Sequence, residues 1–70
     1  MMKIFNTVYD GSIAVNKNHI VSITFAWEHK NGNKIYCAVL VGGGKIEFAG
    51  KSLKDILEFL ETDKMEYEVD

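Results

Sequence analysis

Proline, arginine and glutamine are absent from this 70-residue chain, and cysteine and tryptophan occur once each. The lone Cys37 excludes a disulfide within the chain and fits a reducing compartment. Without arginine, no side chain can grip a guanine edge or a carboxylate through two parallel hydrogen bonds. Long apolar runs are missing as well. The longest, Ile35 to Val41, falls far short of the ~20 residues of a membrane helix. The opening Met-Met-Lys-Ile-Phe-Asn has neither the apolar block nor the small-residue cleavage site of a secretory leader. These absences lead us to expect a cytoplasmic domain with no membrane partner.

What is present belongs to a folding chain: 47% hydrophobic residues, 26% charged and 11% aromatic. The length suits a single small domain over residues 1–70, because domains seldom fall below ~50 residues. The formal charge of −2 conceals a strong segregation. Up to Lys54 the balance is +4, whereas from Asp55 onward seven acids face Lys64 alone, a balance of −6. Such asymmetry either marks an interaction surface or simply aids solubility.

Residues 1–50 read as strands with turn punctuation. Ile4-Phe5 and Val8-Tyr9 open a strand, Asp10-Gly11 reads as a two-residue hairpin turn, and Ser12 to Val15 returns. From Ile20 the alternation has period two and sets Val21, Ile23, Phe25 and Trp27 on one face. Asn31-Gly32 is the next turn, and Ile35 to Val41 is apolar on both faces, as a central strand would be. Gly42-Gly43-Gly44 turns the chain again into Lys45 to Ala49. Then the period changes. Leu53, Ile56, Leu57 and Leu60 form one helical stripe behind a Ser52 N-cap, which predicts a helix over 52–61. Beyond it, Met65, Tyr67 and Val69 alternate with Glu66, Glu68 and Asp70, so residues 64–70 form an acidic tail or a final edge strand.

Strands followed by a helix give an α+β domain: an antiparallel meander of about five strands, with one C-terminal helix packed on one face. We expect the helix stripe on the Val21, Ile23, Phe25 and Trp27 face. Ile20, Tyr36, Ala38 and Leu40 then fall on the uncovered face. A face so apolar is expected to bind a further copy or another protein, with Ile20, Tyr36 and Leu40 as candidate contacts. Met65, Tyr67 and Val69 are candidates for adding the tail to a sheet edge.

Few residues could carry chemistry. Gly42-Gly43-Gly44-Lys45 is followed by a strand, not by the helix that a phosphate loop requires. His19, His29 and Cys37 lack the spacing of a zinc site, and no metal or other cofactor is expected. Ser12, Ser22, Ser52 and Cys37 have no adjacent histidine to activate them, which argues against an enzyme. Lys17, Lys30, Lys34, Lys45 and Lys51 lie in or beside turns, with Phe25, Trp27 and Tyr36 on strands. Lysines among aromatics suit a single-stranded nucleic acid, so these five are candidate contacts with one.

The run Ile13-Ala14-Val15-Asn16, then His19-Ile20-Val21-Ser22-Ile23, the Gly42–Gly44 turn, and Ser52-Leu53 opening a Lys-Asp-Ile-Leu-Glu helix is similar to two bacterial groups. One is the LytTR-type DNA-binding domain of response regulators, and the other is the small FlbD-like proteins of flagellar gene clusters. The resemblance covers about residues 2–61 and implies the strand-then-helix order and a bacterial or phage setting. No base-reading residue carries over from it. The expected function is a non-catalytic module that binds protein, itself included. The alternatives are a nucleic-acid binder and a phage-type inhibitor or sponge of a bacterial defence or regulatory machine.

Overall fold

In the computed structural model, which describes residues 1–69, five strands form one antiparallel sheet with a single helix on one side. The strands are β1 (Met2–Thr7), β2 (Gly11–Asn16), β3 (Ile20–Glu28), β4 (Lys34–Leu40) and β5 (Lys45–Gly50), and the helix is α1 (Leu53–Leu60). Their order across the sheet is β2-β1-β5-β4-β3. The three strands from β3 to β5 are a simple meander, and β1 joins it beside β5. Consequently β2 and β3 lie at opposite edges, yet only the short 3₁₀ turn Lys17–His19 connects them. Four flat strand spacings would span ~19 Å, more than the ~14 Å reach of that link. The sheet therefore curls. Lys17 N–H donates to Met1 O at 3.0 Å, and Val41 N–H donates to His19 O at 2.8 Å, so the turn is tied to both sides.

Local chemistry sets the turns. The first hairpin differs from the expected two-residue form: β1 ends at Thr7, which faces Gly11, and Val8, Tyr9 and Asp10 form the loop. Gly11 takes φ +71°, and Thr7 Oγ1 clamps the loop by donating to Gly11 O at 2.6 Å and accepting from Asp10 N–H at 3.0 Å. A side chain able to bridge the loop favours three residues closed by a left-handed glycine. At the other end of the chain, Ser52 caps α1 as expected, its Oγ accepting from Asp55 N–H at 3.0 Å.

The faces differ from those that strict alternation predicts. Single-residue bulges interrupt the β3–β4 register between Ile20 and Ser22 and between Phe25 and Trp27. Each bulge inserts one unpaired residue and reverses the parity beyond it. Ile20 is paired with Leu40, Ile23 with Ala38 and Phe25 with Tyr36, so these residues share the helix side of the sheet. Trp27 is paired with Ile35 on the opposite side, where its Nε1–H donates to Glu47 Oε1 at 3.2 Å. Tyr36, Ala38 and Leu40, expected on an uncovered face, therefore lie under α1, and Tyr36 and Ala38 are buried. Gly50 makes the close approach possible. A Cβ there would stand 2.7 Å from Ile56 Cδ1 and 2.8 Å from Tyr36 Cδ1.

The helix is also rotated from its expected stripe. Ile56, Phe59 and Leu60 are buried, whereas Leu53 and Leu57 remain 41% and 49% exposed. An aromatic cluster accounts for the rotation: Phe59 stands 5.8 Å from Phe5 and 5.0 Å from Tyr67 between ring centroids. Turning Phe59 inward buries more apolar surface than a leucine would at that position.

Tyr67 reaches the cluster because the tail enters the sheet. β1 pairs with β5 only near Thr7 and Phe48, and the remaining gap admits residues 65–67. Ile4 N–H donates to Met65 O at 2.7 Å and Tyr67 N–H to Ile4 O at 3.0 Å, a parallel bridge centred on Ile4 and Glu66. The expected tail strand is thus one bridge long and adds to its own sheet; Asp70 lies outside the described residues.

Candidate interaction surface

The nucleophilic and metal-ligating groups stand apart from one another. Ser12 Oγ donates to Asn6 Oδ1 at 2.7 Å near the first hairpin, while His19 lies beyond the far end of β2. Cys37 is half-buried in β4, and His29 sits in the β3–β4 turn, where its Nδ1 accepts from Asn31 N–H at 3.3 Å. Among the described residues, no three of His, Cys, Asp and Glu come together as a metal site would require. No helix among them is long and apolar enough to cross a membrane.

The five turn lysines divide into groups. Lys34 faces Gly50 across the β4–β5 ladder, so Lys30, Lys34 and Lys51 share one end of the sheet. Lys45 faces Val39 toward the other end. Lys17 is 3.4 Å from Glu61, the one ion pair among the described residues.

Of the apolar candidates, Tyr36 and Tyr67 are core residues at 5% and 4% exposure, and neither presents a side chain to a partner. Ile20 and Leu40 pack partly buried against the same core. Met65 and Val69 are exposed on either side of Tyr67. The tyrosine hydroxyl donates to Asp55 Oδ2 at 2.7 Å and accepts from Lys51 N–H at 3.1 Å. Burial, with the Asp55 carboxylate alongside, pushes the Tyr67 phenol up to about 12 from its ordinary 10.0.

Lys3, a residue that composition marks only as one more cation, is completely buried. Its Nζ donates to Phe59 O at 3.2 Å, to Thr62 O at 2.8 Å and to Lys64 O, and it stands 4.5 Å from the Phe59 ring centroid. α1 has no basic residue in its last turn, so Lys3 supplies the cation that its C-terminal carbonyls favour. Parity is the signal that could have found it, because Lys3 and Phe5 share one face of β1.

Exposed apolar side chains stand on α1 and on the β3 edge beside it. Phe59 points toward β1 and the tail, and Leu57 lies about 160° round the helix from it. The Leu53–Leu57 flank is therefore directed toward β3, against which α1 packs. On β3, Phe25 is on the helix side and 54% exposed, its ring edge-on to Tyr36 at 5.7 Å, and Val21 in the bulge is 64% exposed. Sequence reading missed this surface because it assigned Leu53, Leu57, Phe25 and Val21 to the core. Compared with known proteins, the chain matches no family model, no curated protein and no solved structure.

Proposed function

We propose that this protein is a non-catalytic binding module that acts through protein–protein contacts, its own copies included, made at the α1 flank and the neighbouring β3 edge. The observation that carries this reading is the exposure of Val21, Phe25, Leu53 and Leu57 on adjacent elements. Two large apolar side chains on α1 and two on the β3 edge are costly to leave in water, and burying each recovers on the order of 1 kcal/mol or more. The bacterial or phage setting is part of this proposal and rests on the strand, turn and helix pattern of residues 2–61 that resembles LytTR-type and FlbD-like proteins.

Light scattering over a wide concentration range tests the proposal. The expected result is a mass above the 7.9 kDa of one chain, lowered by Leu57→Glu or Phe25→Glu. A chain that stays monomeric at several hundred micromolar, and whose variants behave identically, would refute the self-association. A second reading, nucleic-acid binding, draws on the shared end of Lys30, Lys34 and Lys51. It requires affinity for single-stranded DNA or RNA that falls steeply with salt, because phosphate contacts release counterions.

A further inference from the structure

We infer that the α1 flank and the β3 edge are occupied by a second copy of this chain, with the two β3 strands antiparallel about a two-fold axis perpendicular to the sheet. This rests on the binding role proposed above and adds the partner and its geometry. The first ground is the edge itself. β3 is an edge strand with no charged residue and no proline from Ile20 to Trp27. Edge strands are ordinarily defended by such residues, because their free N–H and C=O groups invite another strand. Its two bulges are a partial defence, but they leave Ser22–Phe25 as a regular run able to form a short ladder.

The second ground is the placement of the helix. Two antiparallel edge strands related by a perpendicular two-fold keep both helices on the same side of the joined sheet. The exposed Leu53–Leu57 flank is turned toward the β3 side of each copy, so joining the edges brings both flanks and the exposed Phe25 of both chains to one side of the seam. A parallel pairing would put the helices on opposite sides and leave both flanks in water. The other edge, β2, lies on the Phe59 side of the helix, where no such flank exists.

The third ground is self-complementary charge. The two-fold makes the two helices antiparallel. Lys54, near the start of one α1, then faces the stretch holding the partner's Glu58 and the partner's Glu61. The residue on the axis meets its own copy, which like charges would oppose, and β3 offers uncharged Ile23 or Thr24 for that position. Exposed ion pairs contribute little energy, so they select the register while the apolar flank supplies the affinity.

The test uses the whole chain. A two-fold at Thr24 sets Thr24 against its own copy, and one at Ile23 sets Ser22 against the partner's Thr24. Either Thr24→Cys or the double variant Ser22→Cys/Thr24→Cys is therefore expected to form an interchain disulfide under mild oxidation. Peptide mapping distinguishes that link from any made by Cys37. Amide exchange of wild-type protein is expected to slow at least about tenfold over Ser22–Phe25 between low and high micromolar concentration, and Leu57→Glu is expected to abolish the slowing. A dimeric mass without either the cross-link or the slowing overturns the β3 geometry and leaves self-association standing. A monomeric wild-type chain overturns both.

Discussion

Lys3 concentrates the stability argument at the scale of single residues. A buried ammonium without a carboxylate is tolerated because three backbone carbonyls at the end of α1 surround it. Phe59 O has other donors in Thr62 N–H and Thr62 Oγ1, whereas among the described residues Lys3 is the donor to Thr62 O and Lys64 O. Lys3→Met fills the volume but removes all three bonds, so a denaturant melt should show a loss of ~1–3 kcal/mol. Gly50→Ala should also destabilise, by ~1–3 kcal/mol, because the added methyl meets Ile56 and Tyr36 well inside contact distance. Tyr67 predicts a pH dependence. Its folded pKa of about 12 lies above the unfolded 10, so the folded state keeps a proton that the unfolded state has lost between those values. Its contribution is whole below pH 10 and disappears as pH rises through 12. Tyr67→Phe should lose ~0.5–1.5 kcal/mol at neutral pH and flatten the decline between pH 10 and 12.

At the scale of elements, α1 illustrates how amphipathic spacing constrains a helix without fixing its rotation. Leu53, Ile56, Leu57 and Leu60 satisfy the spacing of a buried stripe, but Ile56, Phe59 and Leu60 do so equally well over a shifted arc. The wide apolar arc allowed both, and the Phe5, Phe48 and Tyr67 rings selected the second. Ile56→Ala is therefore expected to cost ~2–5 kcal/mol, and Leu57→Ala in the monomer far less, as half of that side chain already meets water. Melts of both variants at low protein concentration check the rotation. The tail presents the same question. Removing residues 65–70 would take Tyr67 from the aromatic cluster and expose the Ile4 backbone. The truncated chain should melt well below the full one, and equal melting temperatures would contradict a docked tail.

Across the whole molecule, the segregation of charge finds little use in ion pairing. Among the described residues only Lys17 and Glu61 meet, and the tail joins the body through backbone bonds, Tyr67 and Lys3. Local features were legible in the sequence because their causes are local. Asn31-Gly32 and the Gly42-Gly43 pair supply positive φ where strands reverse, Ser52 satisfies its own helix, and the change of period after Gly50 separates sheet from helix. Those residues alone determined an α+β chain with strands first and a helix last. Which face each residue occupies was decided only by the tertiary structure. One extra residue in β3 reverses every side chain beyond it, and its two bulges leave no trace in an alternating pattern. The burial of Lys3, the rotation of α1 and the insertion of the tail beside β1 likewise depend on partners 50 or more residues away. Energies of contacts at that separation arise from the assembled core, where Phe59, Tyr67 and Lys3 compete for a single space. The interaction surface is what remained outside it.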